Sequence, residues 1–144
     1  MNIDDILSLW DEDCKIDKTE LGDEALRLFS LHHKYHKMLT NERLILKKQE
    51  SDFKQLKLEK HEFYSQGHTE ETRKKGWELP AKGMILKSDL AMYVEADKDI
   101  INLSLKIGLQ QEKIQLLDSV LKVIMNRSFP INAAITWQKF INGG

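Results

Sequence analysis

Between Ile100 and Ile124 the apolar residues return at intervals of three and four: Ile100, Leu103, Ile107, Ile114, Leu117, Leu121 and Ile124, with Gln110 the single polar member. That alternation is the seam of a helix packed along a second helix. A polar residue inside such a seam sets register at some cost in stability. An earlier stripe runs through Leu39, Leu46, Phe53, Leu56 and Phe63, spaced by three, four or seven. From Asp17 to Ser65 there is no proline, and Gly22 is the only glycine. The pattern predicts one long helix there, with a kink or break near Phe29–Ser30. Asp17-Lys18-Thr19-Glu20 has the form of a capping box at its start. Ser88 reads as the N-cap of a second long helix that ends near Asn126. Neither stripe can be hidden by its own helix, so the two form an antiparallel hairpin.

Shorter patterns flank the hairpin. Ile3, Ile6, Leu7 and Trp10 predict an amphipathic helix over Ile3 to Ile16. Ser128 and Pro130 sit where a cap and a first-turn proline belong. Ile131, Ala134, Ile135, Trp137 and Ile141 then build a short helix that Gly143-Gly144 ends. This helix has more apolar surface than one hairpin covers, which places Phe129, Ile131, Ile135, Trp137 and Phe140 at contacts between subunits. Gln66 to Lys87, punctuated by Gly67, Gly76, Pro80 and Gly83, has no hydrophobic period and is long for a helix–helix connection. The expected fold is all-α: a short N-terminal helix, a long antiparallel helical hairpin and a short C-terminal oligomerisation helix. Residues 1–126 form the hairpin and residues 127–144 the oligomerisation element.

Composition supports helices over sheets. The 144 residues include only seven Gly and two Pro, too few for a turn-rich β fold. Cys14 is alone, so no intrachain disulfide forms, which fits a reducing cytoplasm. No apolar run approaches the roughly 20 residues of a membrane span, and the acidic N-terminus lacks a signal peptide's basic flank. The expectation is a soluble intracellular protein. No phosphate-binding loop, dinucleotide turn, nucleophile elbow or zinc-protease signature is present, so no enzyme activity and no cofactor are expected. The acid pairs Asp4–Asp5, Glu70–Glu71 and Asp97/Asp99 read as solvated carboxylates. His32 and His36 stand four apart, a spacing that can chelate a metal. No third ligand accompanies them, and Lys34 and Lys37 repel a cation. His32, His33 and His36 read instead as an extension of the basic face.

Charge changes the picture more than composition does. The net charge of −1 conceals nine acidic and two basic residues over 1–25, then eight acidic and fourteen basic over 26–87, then six of each. Within the basic middle, Lys54, Lys57, Lys60 and His61 recur every three or four residues. Arg73, Lys74 and Lys75 follow in the connection, on the far side of Phe63–Tyr64. Cations hold a phosphate backbone while aromatic faces stack unpaired bases. Tyr64 is expected to face solvent and stack a base while Phe63 packs. This is a candidate single-stranded-DNA surface, of modest, salt-sensitive and sequence-independent affinity. The competing reading is a coiled-coil scaffold or adaptor, its solvated faces laced with pairs such as Glu50–Lys54 and without direct nucleic-acid binding.

Several stretches resemble the UvsY family of recombination mediators of large tailed phages, its cyanobacterial-phage branch in particular. They are Leu56-Lys57-Leu58-Glu59-Lys60-His61-Glu62-Phe63-Tyr64-Ser65, Ala96-Asp97-Lys98-Asp99, and the tail from Asn126-Arg127-Ser128-Phe129 through Trp137-Gln138-Lys139-Phe140. Ile16-Asp17 and Leu31-His32-x-Lys34-Tyr35 look similar too. The resemblance implies a non-enzymatic factor in the cytoplasm of an infected bacterium. It implies a ring-like homo-oligomer of about six or seven subunits, closed by a C-terminal helical motif. Such a factor binds single-stranded DNA, weakens the hold of the phage single-stranded-DNA-binding protein and helps a phage RecA-like recombinase nucleate its filament. The family's basic motif can read Lys-x-Arg just before the paired aromatics. Leu58-Glu59-Lys60 fills those slots here, so only Lys60 supplies a cation. That departure shifts weight to Lys54, His61 and the Arg73–Lys75 run.

Overall fold

The computed structural model describes residues 1–81 and 85–143, which form six helices and, among the described residues, no strand. They are α1 (Ile3–Asp13), α2 (Leu21–Gln66), α3 (Glu70–Lys74), α4 (Leu90–Glu95), α5 (Lys98–Asn126) and α6 (Ser128–Ile141). The all-α expectation holds. Gly83 and Gly144, read above as punctuation, lie outside the described residues.

Local chemistry explains where the boundaries differ from expectation. Asn2 caps α1, accepting from the Asp5 N–H at 2.8 Å while the Asp5 carboxylate accepts from the Asn2 N–H at 3.0 Å. The helix ends at Asp13, short of Ile16. Asp17 does not open a capping box. Its carboxylate turns inward on Thr19, taking the N–H at 2.9 Å and the hydroxyl at 2.6 Å, and α2 starts only at Leu21. From there α2 runs 46 residues, unbroken through Phe29 and Ser30.

The second long helix is divided. Asp89, not Ser88, precedes α4, with no side-chain cap bond. After Ala96 the Asp97 carboxylate accepts from the N–H groups of Asp99 (2.9 Å) and Ile100 (3.3 Å), which stops α4 and starts α5. The connection predicted to be irregular contains α3, capped reciprocally by Thr69 and Thr72. Gly67 (φ 90°) and Gly76 (φ 74°) take the left-handed conformation after α2 and α3, which a side chain would disfavour. At the tail Ser128 is the first residue of α6 rather than its cap, and Pro130 falls in the first turn.

The helices sort into two compact units, Met1–Leu44 with Gln111–Gly144, and Ile45–Gln110. The core of the first unit joins Ile6 of α1 to Leu31, Tyr35 and Leu39 of α2 and to Leu117, Val120, Leu121 and Ile124 of α5. Full burial of one such side chain is worth about 1.5–3 kcal/mol, and Leu9 and Trp10 packed beside Ile6, with Asp13 bonded to Lys34 and Tyr35, add to the hold on α1. Here α2 and α5 run antiparallel: Leu28 lines a groove with Ile124, while Glu42 pairs with Lys113 at 3.3 Å. Ile131 of α6, only 2% exposed, also enters this unit. The second unit buries Phe63 of α2 with Leu90 and Val94 of α4 and Ile100 of α5. Every predicted seam position, from Ile100 to Ile124, is buried or half-buried.

Candidate nucleic-acid interface

Lys60 is the centre of the second unit's polar chemistry, and it is inside. It is 3% exposed, with Nζ 3.1 Å from Asp97 Oδ2 and 2.8 Å from Asp99 Oδ2. The same ammonium stands 3.7 Å from the centroid of the Trp77 ring and 6.0 Å from that of Phe63. An ammonium this close to an indole face gains electrostatic attraction once water is excluded. Phe63 meets Tyr64, His68 and Trp77 edge-on, at centroid distances of 5.2, 5.0 and 5.4 Å.

Asp97 receives four donors. The Tyr64 hydroxyl donates to it at 2.6 Å, beside the Lys60 ammonium and the two N–H groups of the α5 cap. Burial alone would raise its carboxyl pKa. The Tyr64 hydroxyl, the Lys60 ammonium and the Ile100 N–H outweigh burial and hold it below the ordinary value. Burial, followed by the bond to Asp97, pushes the Tyr64 phenol well above its usual range. Asp97 is therefore no solvated carboxylate, and Asp99, though itself exposed, is tied to Lys60.

These contacts correct two expectations. Lys60 was placed on one cationic face with Lys54, Lys57 and His61. At 100° per residue, however, Lys60 lies about 120° around α2 from Lys54. It falls in the heptad slot between Leu56 and Phe63, so it enters the seam. Tyr64 is half-buried and spends its hydroxyl on Asp97 instead of presenting a free ring to solvent.

The remaining predicted cations stay outside. Lys54, Lys57, His61, Arg73, Lys74 and Lys75 are all exposed. Among the described residues no ion pair engages Lys54, Lys57, His61, Arg73 or Lys74, while Lys75 reaches Glu59 at 3.6 Å and lies 4.9 Å over Trp77. Lys54, Lys57 and His61 share one side of α2, and Lys47, seven residues before Lys54, is exposed on the same side. A cavity of about 170 Å³ beside Trp77 is lined by three carboxylates, Glu59, Glu62 and Glu71, against one cation, Lys75, a balance that disfavours phosphate.

Sequence reasoning missed Lys47, Trp77, Asp97 and Asp99 as parts of this site. For Lys60 a signal existed: Phe53, Leu56, Lys60 and Phe63 step by three, four and three, and the seam is continuous only through the lysine. Nothing local marks Trp77 as the partner of Lys60.

In the first unit, the His32 and His36 rings stack at 5.8 Å with 12° between their planes. No group of three His, Cys, Asp or Glu suited to a metal occurs among the described residues. The predicted subunit-contact set divides. Phe129, Trp137 and Phe140 are 79, 61 and 74% exposed, Ile135 is half-buried, and Ile131 is covered within its own unit. Ile131 is therefore not free for another subunit. No described helix is long and apolar enough to cross a membrane.

Comparison with known proteins places this geometry in context. A family model described as recombination, repair and ssDNA binding protein UvsY matches residues 9–144. No curated protein matches. A crystal structure of the bacteriophage T4 recombination mediator protein UvsY, lattice type II, superposes with a TM-score of 0.82 at 21% identity, covering 99% of both chains. Its lattice type I form gives 0.80 at 20% identity, covering 94% of this chain and 98% of that one. At such identities the likeness is one of fold.

Proposed function

We propose a function from one premise: the chain belongs to the UvsY family of recombination, repair and single-stranded-DNA-binding proteins. In this reading it is a recombination mediator, a binding protein and not an enzyme. It holds single-stranded DNA, loosens a phage single-stranded-DNA-binding protein and helps load a RecA-like recombinase in the host cytoplasm. One observation carries the DNA-binding part. Lys54, Lys57, His61, Arg73 and Lys74 are exposed on one unit, without ion pairs among the described residues. Unpaired cations release counterions when they meet phosphates, which drives sequence-independent binding.

Carboxylates at Glu59 and Glu62 dilute that field, so one copy binds weakly. A homo-oligomer of about six or seven copies repeats the surface and raises avidity without new contacts. The exposed aromatics of α6 supply the joining surface. A strand held on such a repeated surface is bent away from the bound protein and offered to the recombinase.

The test is a titration of labelled oligonucleotide over a range of salt. Lys54→Gln with Lys57→Gln, and separately Arg73→Gln with Lys74→Gln, should each weaken binding. Each should also flatten the salt dependence by about 0.7 in log–log slope for every phosphate no longer neutralised. Binding that both double variants leave untouched would remove this surface from the function.

A further inference from the structure

We propose that Lys60 is a positioning residue for strand binding: through Trp77 it holds the segment carrying Arg73 and Lys74 against α2, and it touches no phosphate itself. The inference rests on the strand-binding reading above and concerns how the basic surface is built. Lys60 is committed on all sides. Two carboxylates, Asp97 and Asp99, lie 3.1 and 2.8 Å from its Nζ, and the Trp77 ring lies 3.7 Å away. Swinging Lys60 out to a phosphate would strip a buried carboxylate of its counter-charge, a costly exchange for one screened contact.

Trp77 transmits the position of Lys60 to the free cations. The Trp77 backbone N–H donates to the Thr72 carbonyl at 3.2 Å, and the Gly76 backbone N–H to the Arg73 carbonyl at 3.1 Å. With Gly76 in the left-handed conformation, these bonds fix the Trp77 backbone to the end of α3, the helix that carries Arg73 and Lys74. Where the ring docks, those two cations follow. The Lys75–Glu59 pair, at a long 3.6 Å with Lys75 exposed and Glu59 half-buried, is too weak and too easily screened to replace that dock. The bond needs a cation. A methionine at position 60 would fill the space but lose the carboxylate pairing and exchange the cation–π contact for a weaker sulfur–aromatic one, whereas an arginine would keep both the carboxylate pairing and the cationic ring contact.

The experiment measures oligonucleotide affinity against salt for the full chain and its variants, with circular dichroism confirming that each is folded. Trp77→Leu removes no charge. It should nevertheless weaken binding by about three- to tenfold and lower the slope by about 0.7–1.4, the share of one or two phosphates. Lys60→Met should do the same, Lys60→Arg should restore binding, and Lys60→Met should have no further effect in the Arg73→Gln, Lys74→Gln chain. A Trp77→Leu chain with unchanged affinity and slope overturns the proposal while the strand-binding reading stands. So does a Lys60→Met effect that adds fully to that of Arg73→Gln with Lys74→Gln, because Lys60 would then touch phosphate directly. Absence of salt-dependent binding by the unaltered chain removes the strand-binding reading itself, and this inference with it. Should Lys60→Met fail to fold, Trp77→Leu and Lys60→Arg decide alone.

Discussion

The Tyr64 hydroxyl donates to Asp97 Oδ2 across 2.6 Å and so ties the last turns of α2 to the start of α5. The same carboxylate caps α5 and neutralises Lys60. Three demands thus fall on one side chain: helix initiation, charge compensation and interhelical register. A buried polar contact in a seam specifies alignment in a way that interchangeable apolar contacts do not.

Replacing Asp97 by Asn should therefore be costly although the shape survives. Lys60 keeps only Asp99, and stability should fall by about 2–3 kcal/mol near neutral pH. The acid side adds a second signature. A carboxyl held below its ordinary pKa contributes stability that is present above the unfolded-state value and is lost as pH falls through the folded one. Asp13, also held low by Lys34 and Tyr35 against the upward push of burial, adds to the same loss. Urea unfolding between pH 6 and pH 3 should show the unaltered chain losing more stability than Asp97→Asn. Equal losses would mean that Asp97 titrates as it does when unfolded.

Tyr35, fully buried, donates its hydroxyl to Asp13 at 2.8 Å. Burial first, and then the bond to Asp13, push the phenol far above its usual range. A raised folded-state pKa gives stability that is complete below the unfolded value, near 10, and is lost as pH rises beyond it. Phenolate absorbance from Tyr35 and Tyr64 should thus appear together with unfolding, above the range of free tyrosine. Tyr35→Phe should cost about 1–2 kcal/mol at neutral pH and lose less stability on the alkaline side. Early phenolate formation in a folded chain would contradict the burial.

The α6 aromatics and Ile131 should separate cleanly in experiment. Phe129→Ser, Trp137→Ser and Phe140→Ser should each change unfolding free energy by no more than about 0.5 kcal/mol. Combined, they should shift the assembly to smaller species in light scattering. Ile131→Ala should instead cost about 2–4 kcal/mol by opening a cavity. An assembly whose mass ignores the triple aromatic variant would show that α6 does not join the copies.

Arg127 binds α1 to the tail within the first unit. Its guanidinium donates to the Cys14 carbonyl at 2.5 Å and lies 5.1 Å over the Trp10 ring. Arg127→Ala should lower stability by about 2 kcal/mol, and Arg127→Lys should recover only part, because a point charge cannot both stack and donate as a planar fork does. Thermal unfolding measures both. Full recovery by lysine would reduce the contact to simple charge.

Much of this fold is legible along the chain because a buried helix face must repeat with the helix. The stripe from Ile100 to Ile124 lies in the seam, and the proline-free run became α2. The break at Asp97 was not visible, since a carboxylate inside a helical pattern marks an N-cap only when its neighbours' N–H groups turn toward it. The Phe29–Ser30 kink did not occur, because neither residue removes a backbone donor and Leu28 and Leu31 on either side both pack into the unit. For the candidate surface, periodicity placed Lys54, Lys57 and His61 together correctly and put Lys60 with them wrongly. Steps of three drift backward around a helix, and two of them carried Lys60 over the edge into the seam.

By itself, then, the sequence determined that the chain is helical, where its long apolar faces run and where its cations concentrate. Those are consequences of spacing and charge, which are local and additive. Only the tertiary structure decided which of those cations are free. Whether a lysine meets solvent or two carboxylates and an indole depends on residues 17 to 39 positions away, and no local pattern encodes that meeting.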